Sequence, residues 1–270
     1  MNKAIRKTAF MMLKNCAKQF EYFYFKDPDY DHFNEPVTDP KSPQGKGTLF
    51  HNAAEEMFPQ CDVKDMISLE RADLVKYLRH RLPDIPQINP WFDYFADFEA
   101  RRFCFGLDAY GKEGIEKVFI PVALEKYCKL ESKTEPARTG HVDRIDWLPN
   151  EESLCIVEYK TGKYYNLEKP YILTNLRAEC GWYATILNKI KAYDKPIAWW
   201  ACINPMMQQY HVEKFHIMSV RSLEKQWAGL LKLIDNKGPF ERNLSPLCGH
   251  CKYVSECLYN YGEGDFQIDR

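Results

Sequence analysis

The sequence predicts an α/β fold in which a mixed sheet core is flanked by helices. Three observations lead to this prediction. Apolar residues follow helical spacing over most of the chain before residue 105, strand-like runs follow Gly111, and helical and strand-like spacing then alternate to residue 235. With 270 residues and an apolar content of 45%, the chain is long enough to bury a substantial core.

The region before residue 105 is predicted to be mainly helical. Residues 4–25 carry an amphipathic stripe, and Cys16 lies along it. Residues 26–47 are rich in proline and glycine, which predicts a long loop. A helix is expected to begin near Thr48, whose hydroxyl can cap it, and to end at Met57. Two more helices are expected at about residues 64–81 and 90–105.

The rest of the chain supplies the predicted sheet. Strands are expected at residues 118–124, 125–130, 197–203 and 209–217, together with a hairpin within residues 140–162. Helices are expected at residues 173–192 and 219–235. The sequence contains no internal repeat and no glycine-rich phosphate-binding loop, so it does not indicate an ATP-driven motor.

The hairpin is the most informative part of the sequence. Residues 149–152 form a turn signal between two apolar runs, so these runs are expected to pair antiparallel. Lys160 lies two residues beyond Glu158 and therefore on the same strand face. Centring the turn on residues 149–152 pairs Trp147 with Leu154, Ile145 with Ile156, and Asp143 with Glu158.

This register brings two carboxylates and an amine to one place. Opposed Cβ atoms lie about 5 Å apart, so Asp143 and Glu158 would repel each other unless a cation neutralised them. Oxygen ligands with open coordination positions suit Mg²⁺ or Mn²⁺. The alternative is a solvated strand face with a surface ion pair. Apolar residues on both faces of residues 154–159 favour a central strand, where such charges need a function.

The overall charge and hydropathy limit the expected partners. The chain has 37 basic and 38 acidic residues, so any contact with nucleic acid has to come from a local patch. No run of about 18 apolar residues predicts a transmembrane helix, and the N-terminal segment lacks a signal-peptide cleavage site. The sequence therefore predicts a cytoplasmic protein with no membrane partner.

The cysteines fall into two groups. Ten cysteines are many for a cytoplasmic chain, and seven of them are scattered among apolar neighbours, where most are expected to be buried thiols. The other three, Cys248, Cys251 and Cys257, form a Cys-x2-Cys-x5-Cys run in a segment with little regular periodicity. Clustered thiolates of this kind indicate a metal or iron–sulfur site.

Taken together, four segments resemble the motifs of the RecB-like branch of the PD-(D/E)xK nuclease superfamily. The first resembles a motif in which a helix offers a histidine ligand, and the fourth stands where the branch has Gln-x-x-x-Tyr on a helix beside the active site. The four segments are Gly47 to Glu55 with His51, Gly140-x-x-Asp143, Glu158-x-Lys160, and Glu179 to Tyr183.

This resemblance extends over nearly the whole chain, from Cys16 to Cys257. It includes the iron–sulfur members of the branch, such as the CRISPR-associated RecB-type exonuclease and the AddB nuclease domain. Two positions depart from the pattern. Glu179 replaces a glutamine, which exchanges a donor-capable amide for a carboxylate that only accepts, and Ala17 follows Cys16 where the family has proline.

The resemblance implies a restriction-endonuclease-like fold and a metal-dependent nuclease. It implies that His51, Asp143, Glu158 and the backbone carbonyl of Tyr159 bind Mg²⁺ or Mn²⁺. Lys160 is then expected to orient or activate water and to offset charge that gathers on phosphorus. Tyr183 is expected to contact phosphate or to support Lys160.

The resemblance also implies a 4Fe-4S cluster that joins the N- and C-terminal segments of the chain. Its ligands would be Cys16, Cys248, Cys251 and Cys257. Zinc is the alternative, because four thiolates, or three thiolates with His250, suit tetrahedral coordination. The chain is expected to divide into a helical region with the first motif and one cluster cysteine, a nuclease core, and a cysteine-cluster segment, at residues 1–110, 111–236 and 237–270.

The expected substrate is DNA with a free end, with single strands favoured. The expected setting is CRISPR spacer acquisition or DNA recombination and repair, where protein partners are also expected. Tyr164 and Tyr165 follow the strand that carries Lys160 and are candidates for base stacking, with core packing as the alternative. Two other functions stay open: a noncatalytic DNA-binding or assembly subunit with the same fold, and a zinc-binding nucleic-acid protein whose hairpin carboxylates are surface groups.

Overall fold

A computed structural model describes residues 3–27, 39–244, 248–249 and 251–259, with side chains to residue 257. A π-helical turn, Tyr22–Lys26, follows the second helix. The helices are α1 (Lys7–Asn15), α2 (Ala17–Glu21), α3 (Pro43–Met57), α4 (Val63–Ile67), α5 (Arg71–Arg79), α6 (Asn89–Phe119), α7 (Pro170–Lys189), α8 (Ile217–Asp235) and α9 (Val254–Tyr259). The strands are β1 (Ile5–Arg6), β2 (Ala123–Leu130), β3 (Arg138–Leu148), β4 (Ser153–Tyr159), β5 (Ile197–Asn204) and β6 (Gln209–Lys214).

The chain forms two compact units, each assembled from separate stretches of sequence. The first unit consists of Met1–Glu35, Glu131–Arg138 and Glu224–Arg270. The second unit consists of Pro36–Leu130 and Thr139–Leu223. The division of the sequence into residues 1–110, 111–236 and 237–270 stays a prediction.

The second unit is built on a mixed sheet. Strands β3, β4, β5 and β6 lie side by side in that order, and β2 also pairs with β3. The pairs β3–β4 and β5–β6 are antiparallel, whereas β4 and β5 are parallel. A parallel pair needs a crossover connection, and α7 lies in the connection between β4 and β5. The predicted α/β fold with a mixed sheet flanked by helices is therefore confirmed.

The hairpin has the predicted register over its paired residues, which end at Arg144 and Val157, one pair short of the predicted pairing of Asp143 with Glu158. Ile145 pairs with Ile156, and Trp147 pairs with Leu154. Every residue of β4 is buried, as expected for a strand that lies between two neighbours. The charged residues at the C-terminal end of β4 therefore lie at the end of an interior strand.

The main core of the second unit packs α3 and α6 against β4 and β5. Tyr159, the last residue of β4, lies edge-on to Phe50 of α3 and to Phe95 of α6, with ring centroids 5.7 Å apart in both pairs. Edge-to-face pairs of this kind stabilise a core beyond the area they bury. They fix the end of β4 relative to the helix that carries His51.

Two predicted boundaries are wrong for reasons that involve proline. The helix expected at Thr48 begins at Pro43, because Ser42 accepts a hydrogen bond from the N–H of Gly45 (2.9 Å) and proline favours the first helical position. The strand expected at residues 118–124 is instead the end of α6 followed by a short link. Pro121 keeps the preceding residue out of the helical conformation, and β2 begins at Ala123.

The helix expected at residues 4–25 is also interrupted. Cys16 has an extended backbone (φ −161°, ψ 113°) and separates α1 from α2. The helix expected at residues 64–81 is divided into α4 and α5. Within the described ranges, none of the helices combines the length and the apolar character that crossing a bilayer requires.

Candidate metal centre

Helix α3 delivers His51 to the end of the sheet. Gly47, one turn before His51, lies against Thr161, and a Cβ atom at residue 47 would be 2.8 Å from the Thr161 hydroxyl oxygen. The absence of a side chain therefore allows α3 to approach the residue that follows Lys160. This close approach explains why glycine and histidine occur together in the first motif of this sequence.

The hairpin delivers Asp143 to the same place. Beyond the last paired residues, Arg144 and Val157, the Asp143 carboxylate accepts a hydrogen bond from the backbone N–H of Tyr159 at 2.8 Å. The Asp143 carboxylate thus replaces the backbone carbonyl that would otherwise accept from the Tyr159 N–H at the end of the β3–β4 ladder. Asp143 Oδ1 lies 3.5 Å from His51 Nδ1. The predicted approach of a helix histidine to the hairpin aspartate is present.

A third ligand group comes from a residue that the sequence did not single out. Among the described residues, His51, Glu125 and Asp143 offer ligand atoms that all lie within 4.8 Å of one another. One imidazole nitrogen and two carboxylates suit a divalent cation, and hard carboxylate oxygens suit Mg²⁺ or Mn²⁺. The residues present therefore fit a metal ion.

The backbone at Glu125 is strained. Its φ of 42° lies in the left-handed region, which non-glycine residues seldom adopt. Strain of this kind costs about 1–3 kcal/mol and is concentrated at functional sites. One feature of the sequence is consistent with a ligand at this position: an acidic residue, Glu125, directly follows the apolar residues Ala123 and Leu124. The strand prediction divided the chain at that point and gave the acid no partner.

The three ligand groups influence one another's pKa values. Burial alone would lower the pKa of His51, but the Asp143 carboxylate outweighs burial and raises it. Burial alone would raise the pKa of Asp143, but His51, Lys160 and the Tyr159 N–H outweigh burial and lower it. Burial, followed by the Asp143 carboxylate, raises the pKa of Glu125 to about 7. A cation is the natural neutraliser of such crowded carboxylates.

Lys160 is held between two carboxylates. Its Nζ lies 2.9 Å from Glu158 Oε2 and 2.8 Å from Glu179 Oε1. Burial opposes the charge on Lys160, but Glu179 and then Glu158 outweigh burial, so its pKa lies well above the usual value. The two carboxylates therefore favour the ammonium form of Lys160, which can attract and orient oxygen atoms.

The fourth motif has two distinct parts. Glu179, in place of the family's glutamine, is an ion-pair partner of Lys160. Tyr183 is buried, and a Cβ atom at residue 140 would lie 2.4 Å from its ring. Gly140 in the second motif is thus required for the close packing of Tyr183 against β3. The predicted roles of Glu158 and of the Tyr159 carbonyl as metal ligands stay predictions.

All four predicted cluster cysteines belong to the first unit. The N–H of Asn243 donates to Cys16 Sγ at 3.5 Å, and the Cys248 thiol donates to the carbonyl of Asn243 at 3.8 Å. Burial raises the pKa of Cys257, and the nearby Cys16, Cys251 and Cys248 raise it further. Asn243 therefore contacts both Cys16 and Cys248, but no three of the described cysteine sulfur atoms lie within 4.8 Å of one another, and the metal cluster stays a prediction. His250, the alternative zinc ligand, lies outside the described residues.

His51 of α3, Glu125 of β2 and Asp143 of β3 lie together at one end of a mixed sheet, and Lys160 follows the neighbouring strand β4; such a donor set suits metal-ion catalysis. The sequence profile of the PD-(D/E)XK nuclease superfamily matches residues 8–258, and the chain belongs to this superfamily. No curated protein matches the chain by sequence. A solved structure titled "Crystal structure of SSO0001" is 12% identical, with coverage of 79% of this chain and 96% of that chain and a TM-score of 0.32.

Proposed function

We propose that this protein is a Mg²⁺- or Mn²⁺-dependent deoxyribonuclease of the RecB-like branch that acts on DNA ends and favours single strands. The observation that carries the proposal is the meeting of His51, Glu125 and Asp143 in a member of a nuclease superfamily, with Lys160 on the adjoining strand end. CRISPR spacer acquisition and DNA recombination or repair are the two proposed settings.

In the proposed mechanism, His51, Glu125 and Asp143 hold the cation, and Glu158 adds its carboxylate on the strand that carries Lys160. When bound, a divalent cation polarises a phosphodiester oxygen and lowers the pKa of a bound water. Glu158 and Glu179 keep Lys160 charged and fixed in place. The ammonium group then stabilises negative charge on the phosphate oxygens as the transition state forms.

We also propose that Cys16, Cys248, Cys251 and Cys257 bind a 4Fe-4S cluster, with zinc as the alternative. The four thiols belong to one unit and come from both ends of the sequence. A metal bound by all four would link chain segments that are more than two hundred residues apart and would restrict the unfolded chain. A brown colour and visible absorbance of anaerobically purified protein would support iron–sulfur, whereas colourless protein that contains zinc would support the alternative.

The nuclease proposal is tested with end-labelled single-stranded and duplex DNA and Mn²⁺. We expect cleavage by the natural protein and a loss of at least about 100-fold in Lys160→Ala and Asp143→Ala, because each removes charge from the site. Lys195→Ala is the matched control, since Lys195 forms an exposed ion pair with Glu152 and lies over the Trp147 ring, without a described contact to the metal ligands.

Two outcomes would contradict the proposal. Unchanged cleavage by both variants would show that the assigned residues do not form the active site. DNA binding without any cleavage by the natural protein, in the presence of Mn²⁺, would support the noncatalytic DNA-binding subunit instead. Thermal unfolding of each variant distinguishes a lost site from a lost fold.

A further inference from the structure

The connection between β4 and α7, residues 161–169, has a well-fixed backbone. Asn204, which is fully buried, donates through Nδ2 to the carbonyl oxygens of Gly162 (3.1 Å) and Tyr165 (2.8 Å). Gln209 accepts from the N–H of Leu167 at 2.8 Å. Strands β5 and β6 therefore hold this connection in one conformation.

Two tyrosines of the connection extend outward from Lys160, because Tyr165 lies beside Lys160 and Tyr164 contacts Tyr165. The Lys160 ammonium lies 5.5 Å from the centroid of the Tyr165 ring, which is partly buried. The Tyr165 ring contacts the Tyr164 ring edge-on, with centroids 5.3 Å apart and an interplanar angle of 85°. The Tyr164 side chain is 54% exposed. One ring is thus anchored beside Lys160, and the next ring is presented to solvent.

Core packing therefore does not explain Tyr164, because a ring with this exposure gains little from burial. An exposed aromatic ring on a fixed backbone can stack on the face of a nucleobase with little loss of conformational entropy. Bases inside a duplex already stack on both faces, so an unpaired base offers a face that an internal paired base does not. Lys163, which is exposed and adjacent in sequence, can attract the phosphate backbone.

We propose that Tyr164 forms a stacking site for an unpaired nucleobase close to the scissile phosphate, and that this site makes the enzyme prefer single-stranded DNA. The inference rests on the proposed nuclease function, since it takes Lys160 to mark the reacting phosphate. Tyr165 acts as a positioning residue that holds Tyr164 at a fixed distance from the Lys160 ammonium.

The chain provides a matched control in Tyr171. This tyrosine lies in the first turn of α7 and is 52% exposed, almost the same fraction as Tyr164. Its ring is approached by Lys169, at 5.9 Å from the centroid. In the described part of the chain it has no ring contact with Tyr164 or Tyr165. A general requirement for surface tyrosines would affect both positions equally.

The test measures binding of short single-stranded oligonucleotides without divalent cation, by fluorescence anisotropy, for the natural protein, Tyr164→Ala, Tyr164→Phe and Tyr171→Ala. We expect about tenfold weaker binding for Tyr164→Ala, because stacking on an aromatic ring is worth about that much per base. Tyr164→Phe keeps the ring and should bind within about twofold of the natural protein, as should Tyr171→Ala. Duplex binding should not change.

A second measurement tests directly whether a nucleobase stacks on the Tyr164 ring. It uses a set of single-stranded oligonucleotides, each of which lacks one base, at a position that differs from one oligonucleotide to the next. The affinity of each is measured for the natural protein and for Tyr164→Ala. We expect one abasic position to weaken binding to the natural protein about tenfold and to have no further effect on the variant. In cleavage assays with Mn²⁺, the same variant should show a raised KM for single strands and an unchanged kcat.

Three results would overturn the inference: equal losses in Tyr164→Ala and Tyr171→Ala, equal losses in Tyr164→Phe and Tyr164→Ala, or an abasic penalty that persists without the ring. Each is distinct from failure of the nuclease proposal, which would appear as absent cleavage by the natural protein. Failure of the natural protein to bind single-stranded DNA at all would overturn both.

Discussion

The second unit contains two groups of buried charge that are organised in opposite ways. The balanced cluster consists of Glu99, Arg102, Arg144 and Asp146. The acidic cluster consists of His51, Glu125, Asp143, Glu158, Lys160 and Glu179. The balanced cluster has two carboxylates and two guanidinium groups, whereas the acidic cluster has four carboxylates, one ammonium group and one imidazole.

The balanced cluster is closed on itself. Arg144 donates through Nε to Asp146 at 2.7 Å and through Nη1 to Glu99 at 2.6 Å. Arg102 donates to Glu99 at 2.6 Å and uses its other nitrogens on the carbonyl oxygens of Val118 and Phe119. Paired charges such as these hold elements together and leave no excess of negative charge for a cation to neutralise. An excess of carboxylate, in contrast, leaves negative charge for a cation to neutralise.

Tyr159 connects the two clusters. Its hydroxyl accepts a hydrogen bond from Arg144 at 3.2 Å, and its backbone N–H donates to Asp143 at 2.8 Å. The balanced cluster therefore fixes the end of the strand from which the acidic cluster is built. Both clusters contain buried charged groups, so charge balance rather than burial distinguishes the structural cluster from the proposed metal site.

The same substitution, made once in each cluster, tests whether the two clusters differ in this way. Asp146→Asn removes a charge from the buried Arg144 and is expected to lower the free energy of unfolding by about 3–5 kcal/mol. Asp143→Asn keeps an oxygen acceptor for the Tyr159 N–H and should change stability by about 1 kcal/mol or less, while cleavage falls at least about 100-fold. Denaturant unfolding and cleavage rates check both values.

The pH dependence of unfolding gives a control for the same prediction. Burial alone would raise the pKa of Asp146, but Arg144 and Arg102 outweigh burial and lower it. A lowered folded-state pKa contributes stability that is complete above the unfolded-state pKa and is lost as pH falls through the folded-state pKa. Stability should therefore fall below about pH 4 in the natural protein, and less steeply in Asp146→Asn. Equal destabilisation by Asp143→Asn and Asp146→Asn would contradict the distinction.

A second prediction uses the cation itself. A cation that binds only the folded state stabilises it, by about 2.7 kcal/mol at a concentration one hundred times its Kd. We expect Mn²⁺ to raise the Tm of the natural protein. Glu125→Gln should weaken Mn²⁺ binding at least about tenfold, because substitution of a residue that only supports a metal ligand already lowers metal affinity by about that factor. Calorimetric titration gives the affinity.

Glu56→Gln is the control for Glu125→Gln, because Glu56 lies exposed on α3 five residues after His51. It removes the same charge at a site that faces solvent. Unchanged Mn²⁺ affinity in Glu125→Gln would remove Glu125 from the ligand set. The cation would then be left to His51, Asp143, Glu158 and the Tyr159 carbonyl, the set that the family resemblance implied.

The parts of this site that the sequence predicted are those that local patterns determine. Alternation with a period of two and the turn signal at residues 149–152 predicted the pairing of Ile145 with Ile156, but not that the ladder would end before Asp143 and Glu158. His51 was found through its motif rather than its periodicity. Each of these inferences needed only a short stretch of chain.

The parts that were missed depend on contacts between distant segments. Glu125 reaches the site because of a left-handed backbone conformation in β2, which no residue pattern at that point specifies. Arg144 and Asp146 could be read as ordinary strand charges until Glu99 of α6 completed the balanced cluster. Glu179 was recognised as a departure from glutamine, but its contact with Lys160 required the packing of α7 beside β4.

The smallest expected effect belongs to Glu179→Gln, which introduces the residue that the proposed RecB-like resemblance implies at this position. The amide oxygen can still accept a hydrogen bond from Lys160, but one negative charge leaves the acidic cluster. We expect the Mn²⁺ concentration for half-maximal cleavage to rise about fivefold, equivalent to about 1 kcal/mol, with little change in rate at saturating Mn²⁺. Glu179→Ala, which also removes the acceptor, should lower the saturated rate as well. If Glu179→Gln is as inactive as Lys160→Ala, the negative charge at this position is itself required. The excess of carboxylate in the acidic cluster would then serve to hold Lys160 rather than to attract the cation.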